Sequence, residues 1–259
     1  MKQAIRNFMK YRYLLSELII KDIKLKYRRS YLGILWTLLE PLLTMLVLTV
    51  VFSQVYNRQD KLFPVYILTG RLLYSYFGNA TKAAMKSIRK NGQMIKKVYV
   101  PKYIYPLASV ISQYITFLIS LIVLFVVSLV LKLQPTKYMI GAIVPLLILP
   151  VMVLGIGLIL ATLAVFFRDL EYLWGVVLMI IMYCSAIFYE PSRVVKNGYG
   201  WILDINPLYS LIINFRNTVI YGQPFDMQAL TYSIVFSVAS LIIGVWMFYK
   251  NQDKFILNI

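Results

Sequence analysis

Two charged side chains lie inside stretches that are otherwise apolar. Glu40 sits in Trp36-Thr-Leu-Leu-Glu-Pro-Leu-Leu43, and Arg71 in Val65-Tyr-Ile-Leu-Thr-Gly-Arg-Leu-Leu73. A carboxylate and a guanidinium in such surroundings pair, snorkel to an interface, or face a water-filled path. Glu40 stands about eight residues, or roughly 12 Å, from the inner end of its run, and Arg71 about nine residues, or roughly 13 Å, from the outer end of its own. In a hydrocarbon core ~30 Å thick these depths nearly coincide. Pairing is therefore expected, within one subunit or across a dimer; the alternative is that each snorkels or faces a water-filled path alone. Pro41 next to Glu40 loosens the helix locally.

Other chemistry is confined to a few places. Lys24-Leu-Lys-Tyr-Arg-Arg29 is a run of four cations that stops at Ser30. Lys26, Arg28 and Arg29 are suited to an anionic lipid headgroup, and the plainer account is a membrane anchor. Aromatic residues are abundant, with 21 Tyr and 14 Phe. At span ends such rings form interfacial belts. Trp36, Tyr172, Trp174, Tyr183, Phe188 and Tyr189 are the candidates for lining a path, because sugar C–H faces pack on aromatic rings through weak, non-directional contacts that permit sliding.

Several chemistries are excluded. The chain has no histidine and one cysteine, Cys184. That removes internal disulfides, the common zinc sites and imidazole-based triads. No GxxxxGK[ST] loop is present, so ATP is not expected to bind this chain in the usual way. No catalytic residue and no metal site are expected. No secretory signal peptide is evident, because the first 30 residues are charged throughout.

The elements that must position these residues are transmembrane helices. Of 259 residues 60% are hydrophobic, with a mean hydropathy of +0.72, more apolar surface than one soluble core of this size buries. Six apolar spans are read at about 32–56, 62–83, 104–131, 138–166, 172–189 and 229–249. Most exceed the ~20 residues a helix needs to cross the core. The second contains Arg71, and the fifth is short enough to be re-entrant. The expected fold class is an all-α membrane protein of six transmembrane helices, with an N-terminal amphipathic interface helix and short outer helices between spans five and six.

The net charge of +17 is distributed by topology. Alternate connecting segments hold nineteen Lys and Arg on one side and seven on the other. The positive-inside bias places both termini, 82–103 and Arg168 in the cytoplasm, and argues against nucleic-acid binding. Residues 5–29 read as an amphipathic helix, with Phe8, Tyr11, Leu15, Leu18, Ile19, Ile23 and Tyr27 on one face. The segment 84–103 reads as a short basic helix broken at Asn91-Gly92 and stopped by Pro101. It is either a solvated loop or a docking element, with Met94, Ile95, Val98 and Tyr99 as apolar contacts. Residues 190–228 are too apolar for a disordered loop, and one or two half-inserted helices are expected there, with Pro207 near a helix start.

Three blocks carry a family resemblance. They are Leu25-Lys-Tyr-Arg-Arg-Ser-Tyr-Leu-Gly-Ile-Leu-Trp-Thr-Leu-Leu-Glu-Pro-Leu42, Asn91-Gly-Gln-Met-Ile-Lys-Lys-Val-Tyr-Val-Pro-Lys102, and Gly155-Ile-Gly-Leu-Ile-Leu-Ala-Thr-Leu-Ala-Val-Phe-Phe-Arg-Asp-Leu170 followed by Ile205-Asn-Pro-Leu208. In order and spacing the chain resembles the membrane subunit of type-2 ABC exporters of polysaccharides, which move O-antigen, capsule and teichoic acid chains. It departs from them at Glu40, often uncharged there, and at Ser185-Ala-Ile-Phe-Tyr189, where a proline is frequent.

The resemblance implies a pore made by two copies of the chain, with two separate ATPase subunits docked on the cytoplasmic side and carrying ATP and Mg. The chain itself is then not an enzyme and holds no cofactor. The 84–100 segment would couple to the ATPase through Ile88, Asn91, Gly92, Met94, Ile95, Lys97, Val98, Tyr99 and Pro101. The substrate would be a polyprenyl-diphosphate-linked glycan, with Arg28 and Arg29 as contacts for the diphosphate. Implied boundaries are an interface helix over 1–30, a transmembrane domain over 31–251 and a cytoplasmic tail over 252–259, in a bacterial or archaeal inner or plasma membrane. A type-2 ABC permease for drugs or small lipids shares this topology. A membrane-embedded glycosyl or acyl transferase is disfavoured by the missing histidine, DxD motif and acid clusters.

Overall fold

The computed structural model of the chain describes residues 2–28, 30–56, 60–98 and 100–258, with side chains of 2–9 and 27 left aside. Arg29, Tyr99 and the side chains of Phe8 and Tyr27, all named above, lie outside the described residues. Every element among the described residues is helical. In chain order they are α1 (Lys2–Tyr27), α2 (Trp36–Tyr56), α3 (Phe63–Lys90), α4 (Gly92–Lys97), α5 (Ile104–Val130), α6 (Ile143–Phe166), α7 (Leu170–Tyr183), α8 (Pro191–Lys196), α9 (Trp201–Asp204), α10 (Pro207–Val219), α11 (Met227–Asn251) and α12 (Phe255–Asn258). Short 3-10 turns precede α2, α6 and α12.

Four helical stretches among the described residues are long and apolar enough to cross a membrane: Gly33–Tyr56, Ile104–Val130, Lys137–Phe166 and Met227–Asn258. The α3 helix has 28 residues, about 42 Å at 1.5 Å each, so it has the length to cross but a more polar composition. The α7 helix is apolar and has 14 residues.

α3 is the central element. It packs against α2, α5, α6, α7 and α10, and residues from Phe63 to Ile88 along it are buried. α6 and α11 form the closest pair through small residues. A Cβ on Gly155 would stand 2.5 Å from the Leu241 amide nitrogen, and one on Gly244 would collide with the Gly155 carbonyl oxygen. Small residues permit this approach where lipid supplies no hydrophobic drive between helices. α2 and α7 are the opposite case. Only Thr37 and Met45 of α2, and Leu178 of α7, are buried. Their outward rows, such as Val47, Val50 and Val51 on α2 and Val176, Met179 and Ile180 on α7, are exposed.

The apolar stripe of α1 turns onto the protein's own body. Leu15 and Leu18 join Ile88, Ile95, Tyr105, Phe248 and Phe255 in one cluster. This gathers α1, the end of α3, α4, the start of α5 and the C-terminal segment at one end of the bundle. Asp22 of α1 accepts from Lys90 Nζ at 2.7 Å and from Ser109 Oγ at 3.2 Å.

One boundary and one helix count differ from expectation. The fifth apolar run stops as a helix at Tyr183, not near 189. The Asn206 side-chain amide donates to the Cys184 carbonyl at 3.0 Å and to Ser185 Oγ at 2.9 Å, while its own oxygen accepts from Leu208 N at 3.0 Å. One side chain thus ends α7 and starts α10 at Pro207, satisfying groups that helix ends leave unpaired. The 190–228 segment holds three helices, α8, α9 and α10.

Candidate functional site

Polar side chains recur at helical spacing on three apolar helices. They are Thr37, Glu40 and Thr44 on α2; Arg71, Ser75 and Asn79 on α3; and Gln113, Thr116 and Ser120 on α5. Spacings of three and four place each set on one helix face. The three faces converge, with Pro41, Leu72, Tyr76, Phe117 and Lys26 of α1, on a cavity of about 60 Å³. At 10–15 Å³ for a single water, that is room for a few waters. The Tyr76 ring is buried, and among the described residues its hydroxyl has no hydrogen-bond partner.

A second cavity of about 450 Å³ adjoins the first. Leu43, Thr44, Val47, Leu48, Phe52, Arg71, Met182, Tyr183 and Phe188 line it. Thr44 and Arg71 belong to both cavities. The two therefore lie next to each other along α2, the first polar and the second apolar and aromatic. Phe188 forms one wall of the aromatic cavity, stacked on Phe52 with ring centroids 4.8 Å apart and planes at 6°.

Glu40 and Arg71 share the polar cavity, yet among the described residues no ion pair joins them within one protomer. Arg71 Nη1 instead lies 3.9 Å from Met182 Sδ, and its guanidinium 5.7 Å from the Tyr74 ring centroid. Of the aromatic candidates, Tyr183 and Phe188 line the second cavity. Trp174 bridges helices, donating from Nε1 to Thr81 Oγ1 at 3.0 Å. Tyr189 donates to the Tyr183 carbonyl at 2.6 Å. Trp36 and Tyr172 are exposed.

In the 84–100 segment, burial divides the candidates. Ile88, Gly92 and Ile95 are buried, and Met94 packs against the same cluster. Asn91 donates to the Ser87 carbonyl at 2.8 Å, and its own carbonyl accepts from Met94 N and Ile95 N, both at 3.0 Å. These residues hold α4 on the body. Gln93, Lys97 and Val98 face outward, and Pro101 is half-buried. The preceding basic turn is clasped from two sides. Glu171 of α7 takes Lys86 at 2.8 Å and Arg89 at 3.8 Å, and Asp22 of α1 takes Lys90. At the base of α5, burial beside Tyr249 and Tyr11 raises the Tyr103 phenol above its ordinary range.

On the basic face of α1, Lys26 reaches the polar cavity. Arg28 lines two clefts, of about 490 Å³ with Ile23, Lys24 and Ile34, and about 290 Å³ with Glu17, Ile20, Lys21, Lys24 and Leu25. Sequence reasoning missed Asn79, Gln113, Thr116 and Ser120. Their recurrence at i, i+3 and i+7 on α5, and at i, i+4 and i+8 with Arg71 and Ser75 on α3, was the available signal.

Apolar helices of membrane-crossing length with a polar-lined cavity between them are consistent with the build of a permease. The chain belongs to the ABC-2 type transporter family, which it matches over residues 13–220. It is similar to the O-antigen export system permease protein RfbA of Klebsiella pneumoniae, 29% identical over 254 residues, covering 95% of this chain and 97% of the relative. RfbA of Myxococcus xanthus is 27% identical over 256 residues, covering 98% of each. The polysialic acid transport protein KpsM of Escherichia coli is 21% identical over 248 residues, covering 93% of this chain and 94% of the relative.

Proposed function

We propose that the chain is the membrane-spanning permease of an ATP-driven exporter that moves a polysaccharide out of the cytoplasm. The carrying observation is the pair of cavities along α2, one polar and one aromatic, which meet at Thr44 and Arg71 and which we read as one path. Relatives whose names describe O-antigen export and polysialic acid transport support the substrate class. The chemistry suits a sugar chain. Asn79, Gln113, Glu40 and Arg71 offer donors and acceptors for hydroxyl groups, and Phe52, Tyr183 and Phe188 offer ring faces. Each contact is weak, so the chain of sugars slides instead of lodging.

In this reading α2, α3, α5, α6, α7 and α11 are the six spans, with α1 at the cytoplasmic interface and α8–α10 outside. The packing of α1, α4 and the C-terminal segment into one cluster supports both termini lying on one side. The exposed apolar rows of α2 and α7 support a homodimer whose second copy completes the path. Gln93, Lys97 and Val98 are the surface offered to an ATPase subunit, which hydrolyses ATP with Mg. Lys26, Arg28 and Arg29 receive the diphosphate of a polyprenyl-linked glycan. The location is a bacterial or archaeal inner or plasma membrane.

The test is export. The chain and its ATPase subunit are expressed in a bacterium lacking its own O-antigen permease, and surface polysaccharide is measured beside an R71A/N79A variant. Restored surface glycan that the variant reduces supports the proposal. ATP hydrolysis stimulated by amphiphilic drugs, with no glycan exported, would replace it with the drug or lipid permease.

A further inference from the structure

Arg216 of α10 lines neither cavity and is 2% exposed. Its guanidinium is held mainly by backbone carbonyls. Nη1 donates to the Ala186 carbonyl at 2.9 Å, and Nη2 to the carbonyls of Tyr66 at 3.0 Å and Ile187 at 3.3 Å. Nε reaches Thr69 Oγ1 at 3.4 Å. The group lies over the Tyr66 ring, 3.5 Å from its centroid. Gly70 leaves it room, since a Cβ there would stand 2.6 Å from Nη2.

The segment it holds is the turn after α7. Ala186 has φ +46, in the left-handed region that L side chains avoid. Such a conformation persists only where surrounding contacts over-determine it. Here they do. The Tyr66 hydroxyl shares its proton between the Ala186 carbonyl at 3.0 Å and the Tyr189 carbonyl at 2.7 Å. Asn206, at the other end of α10, holds Cys184 and Ser185. Between these anchors Phe188 stacks on Phe52 in the wall of the aromatic cavity. A charge this deep is expensive to bury.

We propose that Arg216 is a positioning residue that acts through Phe188. With Tyr66, it locks the 184–189 turn so that Phe188 seats on Phe52 and gates the aromatic half of the path. The gating role rests on the export reading; the geometric claim does not, and the experiment reads the geometry.

The full chain carries C184A, F52C and F188C, and the rate of 52–188 disulfide formation is measured in membranes under mild oxidant. R216K keeps the charge but loses the planar fork. Y66F keeps the ring but loses the hydroxyl, and G70A pushes the guanidinium from its place. Each variant is scored on its monodisperse fraction by gel filtration. The proposal expects cross-linking to fall several-fold in R216K and G70A, and less in Y66F, with the folded fraction retained. Cross-linking at the parent rate in all three overturns it. Loss of folded protein in all three also overturns it, because Arg216 is then a folding residue. Export measured on the same variants bears separately on the functional reading.

Discussion

The Ser120 hydroxyl of α5 shares its one proton between the Thr37 carbonyl of α2 at 3.1 Å and the Thr116 carbonyl of its own helix at 3.0 Å. Thr37 is four residues before Pro41, so its carbonyl is the one that proline, lacking an N–H, leaves without its helical donor. The same relationship occurs at Pro150 of α6, whose freed carbonyl at Leu146 accepts from Tyr114 of α5 at 3.1 Å. α5 therefore repairs both proline-broken ladders, and at Ser120 it does so within the wall of the polar cavity. Neighbouring helices supplying freed backbone groups is how membrane helices tolerate proline.

S120A and Y114F each remove one such donor. Interhelical hydrogen bonds in membrane proteins are worth about 0.6 kcal/mol on average and ~1.7 at most. Each variant is expected to lose about that much in detergent unfolding followed by tryptophan fluorescence. P41A restores the backbone donor, so S120A should cost less in a P41A background. Equal costs in both backgrounds would contradict the repair.

The Glu171 pairs with Lys86 and Arg89 tie the start of α7 to the end of α3. Partly exposed pairs of this kind contribute roughly 0–1 kcal/mol, weak enough to open during a cycle. E171K should lower coupling between ATP hydrolysis and export, with a small change in Tm. The double variant K86E/E171K should recover coupling.

Glycines on different helices should respond oppositely to alanine. G244A forces α6 and α11 apart at the Gly155 carbonyl and should sharply lower the yield of folded protein. A Cβ on Gly175 of α7 meets nothing within 4 Å. G175A should be neutral or stabilising by up to ~1 kcal/mol, through helix propensity. Thermal unfolding of both in one detergent checks the contrast.

Much of this was legible in the chain, for physical reasons. Apolar runs longer than twenty residues must be helices in lipid, which identified α2, α5, α6 and α11 directly. Glu40 and Arg71 stood out because charge in such a run is costly, and the structure places both in one cavity. Within one protomer no ion pair joins them among the described residues, since depth along two helices says nothing about rotation about their axes. Ile95 read as a contact for a partner, yet it is buried in the body, because one short amphipathic helix cannot reveal what its apolar face meets. The end of α7 was hidden for a related reason. The residue that stops it, Asn206, lies 22 positions downstream of Cys184.

The path is tested most directly by blocking it where its two parts meet. T44W places an indole at the junction shared by both cavities, and I242W places one on the exposed surface of α11. Polysaccharide at the cell surface is measured for each, with membrane levels of the chain matched. Export lost in T44W and kept in I242W is the predicted result. Export at the parent level in T44W would show that the glycan does not travel along α2.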